Sequence, residues 1–178
     1  MRPTFRLAIT LLLPVAVALT GCHTGTVAEI VPTSGGGHIT VPLTRNGLKP
    51  GSGGGYTVDA SALEPAKEAH EAYYIFGLKT TQTPALSRIQ IEDISDETAA
   101  PLVDDHAPKF TAGQWHMNTQ AIAANDPRMK WIFQITPSLR VYQFTLTQKD
   151  GKQITFHHVT LYPPFVKAVI RHRWGEKY

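Results

Sequence analysis

The sequence predicts a mainly β fold, an antiparallel β-sandwich with one short helix. After residue 70, apolar and polar residues alternate in several segments, and a period of two is typical of half-buried strands. Asn-Asp-Pro, Asp-Gly and Pro-Pro occur between these segments and are typical of turns. The chain has a single cysteine, so no internal disulfide forms and the fold must depend on its hydrophobic core.

The chain begins with a segment typical of a secretory signal. Arg2 and Arg6 precede the apolar run Leu7 to Leu19, which matches a signal-peptide core and is too short to span a bilayer as a helix. Leu19-Thr20-Gly21-Cys22 then gives an aliphatic residue, a small residue, glycine and cysteine. This stretch resembles the lipobox of bacterial lipoproteins.

The lipobox resemblance implies that cleavage follows Gly21, that the Cys22 sulfur carries a diacylglyceryl group, and that the new amino terminus is acylated, for example with palmitate. Each buried methylene contributes about 0.8 kcal/mol, so two or more chains hold a protein stably at a membrane. An ordinary secretory signal cleaved near Ala18, with Cys22 a free thiol, is the alternative. His23 follows the cysteine; because Asp there tends to retain proteobacterial lipoproteins in the inner membrane, we expect the outer membrane of the cell envelope.

Three segments are predicted: a signal peptide (1–21), a lipidated glycine-rich tether (22–55) and a β-sandwich domain (56–178). Nine of the fourteen glycines lie in the second segment, which predicts flexibility. Within it, 39–43 alternates and is predicted as an edge strand, because Pro42 is tolerated only at an edge. Cleavage leaves 15 basic and 14 acidic side chains, since Arg2 and Arg6 leave with the signal, so a nucleic-acid partner is not expected.

Elements of the domain are predicted in chain order. Residues 61–72 are predicted as a short helix capped by Ser61. Residues 73–79 are aromatic and branched, and 88–92 alternate, so both are predicted as strands. A polar loop over 95–109 follows, with a short extended piece at 100–103.

The last third carries the clearest pattern. Residues 131–135 are predicted as a strand closed by Pro137. Tyr142, Phe144 and Leu146 share one face of a strand over 140–148. Asp150-Gly151 supplies the turn of a hairpin whose second strand begins at residue 153. After Pro163-Pro164, residues 165–174 are predicted as a final strand.

Six or seven strands joined by short turns resemble the immunoglobulin or fibronectin type III architecture, over about residues 70–172. The resemblance depends on strand pattern alone. Because domains of this kind mostly bind or space other molecules, it implies a non-catalytic interaction or scaffold module. Fold analogy alone does not assign a function.

A basic stripe on the final strand is the predicted interaction surface. Lys167, Arg171 and Arg173 lie on one face of that strand, and Trp174 suits a membrane interface. An envelope protein, anionic lipid headgroups or a cell-wall polymer are the expected partners, beside the membrane that holds the lipid of Cys22. The same charges would also serve to prevent edge-to-edge pairing of strands.

The alternative function is metal binding or hydrolysis by the polar loop Asp104-Asp105-His106, together with His116. A solvated acidic loop explains the same residues, and no HExxH, CxxC, GxSxG or SxxK motif is present. His157 and His158 are strand neighbours that point to opposite faces, so they do not chelate one ion together. We therefore predict no catalytic residue, metal ligand or cofactor.

Overall fold

The computed structural model describes residues 28–34, 36–44, 47–68, 70–95 and 101–175. The signal segment, the lipobox and Cys22 lie outside these residues, so the predictions made for them stay predictions. In chain order the elements are β1 (Ala28–Pro32), β2 (His38–Thr44), β3 (Gly47–Leu48), β4 (Ser52–Gly53), β5 (Tyr56–Pro65), β6 (Glu71–Thr80), β7 (Leu86–Asp93), β8 (Val103–Asp105), β9 (Gln114–Asn118), β10 (Ile122–Ala123), a 3-10 helix (Pro127–Phe133), β11 (Ser138–Gln148), β12 (Gln153–Tyr162) and α1 (Pro164–Arg173).

Two antiparallel sheets form the sandwich. One has the order β10-β6-β5-β4, with β9 also paired to β6, and the other has the order β12-β11-β7-β8. Alternate residues of β6 and β11 point into a shared aromatic core, where Phe76 and Phe144 meet edge to face at 5.9 Å between ring centroids. The prediction of a mainly β, antiparallel sandwich is confirmed.

A third, small sheet of β1, β2 and β3 covers the outer face of β11 and β12. Val31 and Val41 pack there against Val141 and Val159, and all four are buried. The flexible tether predicted for 22–55 is therefore wrong over its described part. The strand predicted for 39–43 is confirmed as part of β2, and its edge position holds for 39–42, because β3 pairs with β2 only at Leu43 and Thr44 in the described part of the chain.

The glycines near β4 permit close packing. A Cβ on Gly51 would overlap the carbonyl oxygen of His157, and one on Gly53 would come within 2.7 Å of the Phe156 ring. Since neither position has room for a side chain, these glycines bring β4 against β12 and do not serve as a spacer.

The helix predicted over 61–72 is wrong. β5 and β6 pair in continuous register from Ala60↔Gly77 to Pro65↔Ala72. Helix propensity there is weak compared with the packing of Leu63 and Ala72 into the core, so tertiary pairing decides the conformation.

The strand predicted for 131–135 is also wrong, because a 3-10 helix begins at Pro127. Proline fits the first helical position, and the Asp126 carboxylate accepts a hydrogen bond from the backbone N–H of Arg128 at 2.9 Å.

The final strand predicted over 165–174 is an α-helix. Pro164 occupies its first turn, and Gly175, at φ +78°, follows its end. Lys167, Ile170, Arg171 and Trp174 are its buried residues, at the spacing of one helix face. The domain therefore has one short α-helix, as predicted, but it lies over Pro164–Arg173 and not over 61–72.

The strands predicted at 73–79, 88–92 and 140–148 are confirmed as β6, β7 and β11. The strand predicted after the Asp150-Gly151 turn is confirmed as β12, in register with β11 from Thr147↔Gln153 to Ser138↔Tyr162. Among the described residues, no helix is long and apolar enough to cross a membrane.

Candidate functional site: a cleft between the two sheets

A cleft of about 600 Å³ lies where β5 of one sheet meets β12 of the other. We call it the seam cleft. Its polar atoms come from Asp59, Ser61, His158 and Thr160. Its apolar walls include Leu48, Val58, Ala60, Leu139, Val159 and Leu161. A concave, mainly apolar site with a few converging polar groups is typical of ligand-binding pockets.

The strand edges beside the seam cleft are largely unpaired. In the described part of the chain, β12 pairs with β11 on one side only, and β5 pairs with β4 at Ser52↔Thr57 and Gly53↔Tyr56. The Val58 N–H also donates to the Gly51 carbonyl at 3.0 Å, so the open edge of β5 begins after Val58. Every second residue of such an edge turns its backbone N–H and C=O outwards. These edges can therefore add an extended peptide as a further strand.

A hydrogen-bonded chain of polar groups crosses the cleft. The Gly51 N–H donates to Nδ1 of His158 at 3.1 Å, Nε2 of His158 lies 3.2 Å from Oγ1 of Thr160, and Thr160 Oγ1 lies 2.7 Å from Oγ of Ser61. Because Nδ1 accepts, the proton of the neutral ring is assigned to Nε2, which donates to Thr160. His158 is thus no acceptor for the Ser61 proton, and the chain is not a nucleophile–base pair.

Burial keeps this chain neutral. Desolvation lowers the pKa of His158 from 6.5 to about 4, so the ring carries no charge at pH 7. Apart from His158, Asp59 is the one acidic or basic residue among the described residues that line the cleft. The walls therefore suit a mainly apolar occupant, and Asp59 is the acidic group beside them.

The same burial makes stability depend on pH. The unfolded chain binds a proton at His158 near pH 6.5, whereas the folded chain does so only near pH 4. Stability is full above pH 6.5 and falls by about 3 kcal/mol as pH drops through this window, at about 1.4 kcal/mol per pKa unit. Urea unfolding at several pH values measures the fall.

Matched variants isolate the histidine. His158→Gln keeps an acceptor for Gly51 and should remove most of the pH dependence, whereas His157→Gln should remove only a smaller part, because burial lowers the pKa of the exposed His157 ring less. An unchanged pH profile in His158→Gln contradicts the assignment.

The predicted basic stripe does not form one exposed surface. Lys167 is fully buried, and its Nζ donates to the Thr136 carbonyl at 2.5 Å and to Ser138 Oγ at 2.9 Å. Burial, with a smaller effect of nearby Arg171, lowers the pKa of this ammonium group.

Because this segment is helical, the other three residues of the stripe do not share one face. Arg171 is buried and donates to the Ile132 carbonyl, Trp174 is buried and donates to the Glu71 carbonyl, and Arg173 is exposed. An interaction role for these residues stays a prediction, but not as a stripe along a strand.

The acidic loop uses its carboxylates within the protein. Asp104 accepts two hydrogen bonds of 2.6 Å from Arg88, which hold the pKa of that carboxyl below its usual value, and His106 lies 3.3 Å away. Asp105 accepts from the Trp115 indole at 2.9 Å. His116 lies on β9 opposite Gly77. Among the described residues, no three His, Cys, Asp or Glu side chains are grouped to hold a metal ion.

Sequence reasoning missed the seam cleft. The sequence predicts Ser61 as the cap of a helix, whereas the residue lies in β5. His158 and Thr160 share the face of β12 that carries Phe156 and Tyr162, and polar residues on an inward face are the signal that points to a buried polar chain.

These observations define a two-sheet β-sandwich protein with a mainly apolar cleft where its sheets meet. Comparison with family models, with curated proteins and with solved structures finds no match. The β-sandwich architecture therefore follows from the structure itself, and neither the lipoprotein resemblance nor the immunoglobulin-like one gains support from a relative.

Proposed function

We propose that the protein is a lipid-anchored lipoprotein of the bacterial envelope whose sandwich, immunoglobulin-like or fibronectin type III-like in kind, is a non-catalytic interaction module. The seam cleft is its binding site. One observation carries this proposal: a cleft of about 600 Å³ with apolar walls lies between two largely unpaired strand edges.

An extended polypeptide segment with mainly apolar side chains fits the cleft. Its backbone would hydrogen-bond to the outer edge of β12 beyond His158, since Gly51 and Gly53 already pack against His157 and Phe156. Its side chains would contact Leu139, Leu161 and Val58. In such strand addition the backbone bonds supply affinity and the side-chain pockets supply specificity. The half-exposed Leu161 side chain gains most by being covered.

The polar chain in the cleft supports binding over catalysis. Ser61 contacts Thr160 and not a base. The next group in the chain, Nε2 of His158, carries a proton and donates it to Thr160, so it cannot accept the proton of Ser61. The hydroxyls of Ser61 and Thr160 are instead suited to hydrogen-bond a backbone amide of the bound segment.

The anchor is tested at Cys22. We expect mass spectrometry of the protein from bacterial membranes to show a mature chain that begins at Cys22 and carries three acyl chains or two. Cys22→Ser should move the protein from the membrane to the soluble fraction, because the attached chains supply the binding energy. A mature chain cut near Ala18 with a free thiol at Cys22 contradicts the anchor.

Binding at the cleft is tested by cross-linking from Leu161 in cells, with the hairpin turn at Asp150 as the control position.

A further inference from the structure

The C-terminal helix α1 exposes two large apolar residues and buries two cations beside the apolar Ile170. Its cations Lys167 and Arg171 are buried, whereas its apolar residues Phe165 and Val169 are 68% and 58% exposed. Surface helices of soluble domains normally turn the apolar face inward and the charged face outward. The exposed apolar face of α1 is therefore a feature to be explained.

The buried cations already have a structural role. Arg171 donates to the carbonyl of Ile132, in the last turn of the 3-10 helix, and Lys167 donates to the carbonyl of Thr136, which follows that helix. These hydrogen bonds attach α1 to the sandwich together with Trp174, whose indole binds the Glu71 carbonyl. Because the attachment uses the other side of the helix, Phe165 and Val169 are not needed for it.

Exposed cations border the apolar face. Val169, His172 and Arg173 line a shallow groove of about 370 Å³ together with Pro65, Ala66 and Lys67. Lys67, His172 and Arg173 are exposed, and Glu68 is the exposed acidic neighbour of Lys67. Apolar side chains beside lysine and arginine are the composition of helices that lie in an anionic membrane interface.

The predicted anchor keeps the domain close to the membrane. Only six peptide steps separate Cys22 from Ala28, where β1 begins, and even a fully extended chain covers about 20 Å over that length. Some face of the domain must therefore lie near the lipid headgroups.

We infer that this face is the outer side of α1, formed by Phe165, Val169, His172 and Arg173 with Lys67, and that its partner is an anionic phospholipid bilayer. The inference rests on the proposed function, since it requires the lipid at Cys22. Phe165 and Val169 enter the interface, and the cations contact lipid phosphates. The contact orients the sandwich on the membrane.

Cys22 makes the test specific. It is the sole cysteine and is blocked when acylated, so Phe165→Cys or Val169→Cys provides one free thiol for a nitroxide spin label. The matched control is Asp150→Cys at the exposed hairpin turn, at the end of β11 and β12 that lies away from α1. Each full-length, acylated protein is reconstituted in liposomes of phosphatidylcholine and phosphatidylglycerol at 3:1.

We expect the labels at 165 and 169 to show a several-fold higher ratio of oxygen to nickel-chelate accessibility than the label at 150. Lys67→Glu with Arg173→Glu should lower the ratio at 165 towards that of the control. Liposomes of phosphatidylcholine alone should lower it as well.

Two results overturn the inference and are distinguishable. If the protein is acylated and anchored but the labels at 165 and 169 match the control, the inference fails and the proposed function stands. If the protein carries no lipid at Cys22 and does not stay with liposomes, the proposed function and the inference fail together.

Discussion

Replacing Asp93 with asparagine is expected to lower the free energy of unfolding by about 3–5 kcal/mol, because it removes a carboxylate that is paired with the buried Arg140 guanidinium. Asp93 accepts two hydrogen bonds from Arg140, at 2.9 Å from Nε and 2.7 Å from Nη2, and the two side chains are only 11% and 6% exposed. The Arg140 guanidinium also lies 5.1 Å from the centre of the Trp131 ring, so the pair links β7, β11 and the 3-10 helix. Urea unfolding at pH 7 measures the loss.

An exposed ion pair provides the control for Asp93. Asp104→Asn removes the partner of Arg88 at a site where both side chains are about one-third exposed, and should cost no more than about 1 kcal/mol. The double variant Asp93→Asn with Arg140→Met should recover part of the loss, because it removes the buried cation together with the carboxylate. Equal losses in Asp93→Asn and Asp104→Asn contradict the buried pair.

Phe144→Ala is expected to cost about 3–5 kcal/mol, the range for deleting a large aromatic side chain from a core. Phe144 is fully buried on β11, stacks on Phe156 at 5.3 Å and meets Phe76 edge to face. Through its contact with Phe76 this ring joins the two sheets. It also lies near the seam cleft, because the centre of the His158 ring is 6.5 Å away. Chemical denaturation gives the free energy of unfolding.

Phe165→Ala is the matched control for Phe144→Ala. The Phe165 ring is mostly exposed on α1, so its loss should change stability by less than about 0.5 kcal/mol. A small effect at Phe144 contradicts the aromatic core between the sheets. A large effect at Phe165 means that this ring supports the fold and does not serve an outside partner.

The sequence predicted those elements in which local and tertiary preferences agree. Tyr142, Phe144 and Leu146 are buried at alternate positions of β11, and the Asp150-Gly151 turn that follows this strand places glycine at φ +87°. Fold class and the central hairpin were therefore predictable, whereas the burial of Val141 and Val159 on the opposite face, under the third sheet, was not.

The α1 prediction failed for a physical reason. Its buried face carries Lys167 and Arg171, so hydrophobicity does not repeat every 3.6 residues. Val166, Ala168 and Ile170 then suggest a period of two. Pro164 at the start and Gly175 at the end were the signals that a helix was present. A lysine that binds a distant carbonyl inside the fold is not visible in a local pattern.

The seam cleft was not predictable because it joins residues far apart in the chain. Ser61 and Thr160 are 99 residues apart, and Gly51 and His158 are 107 apart. Gly51 was placed in a flexible tether because glycine runs are typical of linkers. The same glycines are required where β4 packs closely against β12, and only the fold distinguishes these two uses.

Site-specific photo-cross-linking in intact bacteria tests the central claim, that the seam cleft of an anchored module binds an extended segment. A benzophenone residue replaces Leu161 at the cleft wall, and the control position is Asp150 at the exposed hairpin turn. We predict one discrete protein adduct from position 161, mapped to an apolar stretch of its partner. It should be absent from position 150 and abolished by Ala60→Trp, which fills the cleft. The same adducts from both positions, or an adduct that persists in Ala60→Trp, would contradict binding at the cleft.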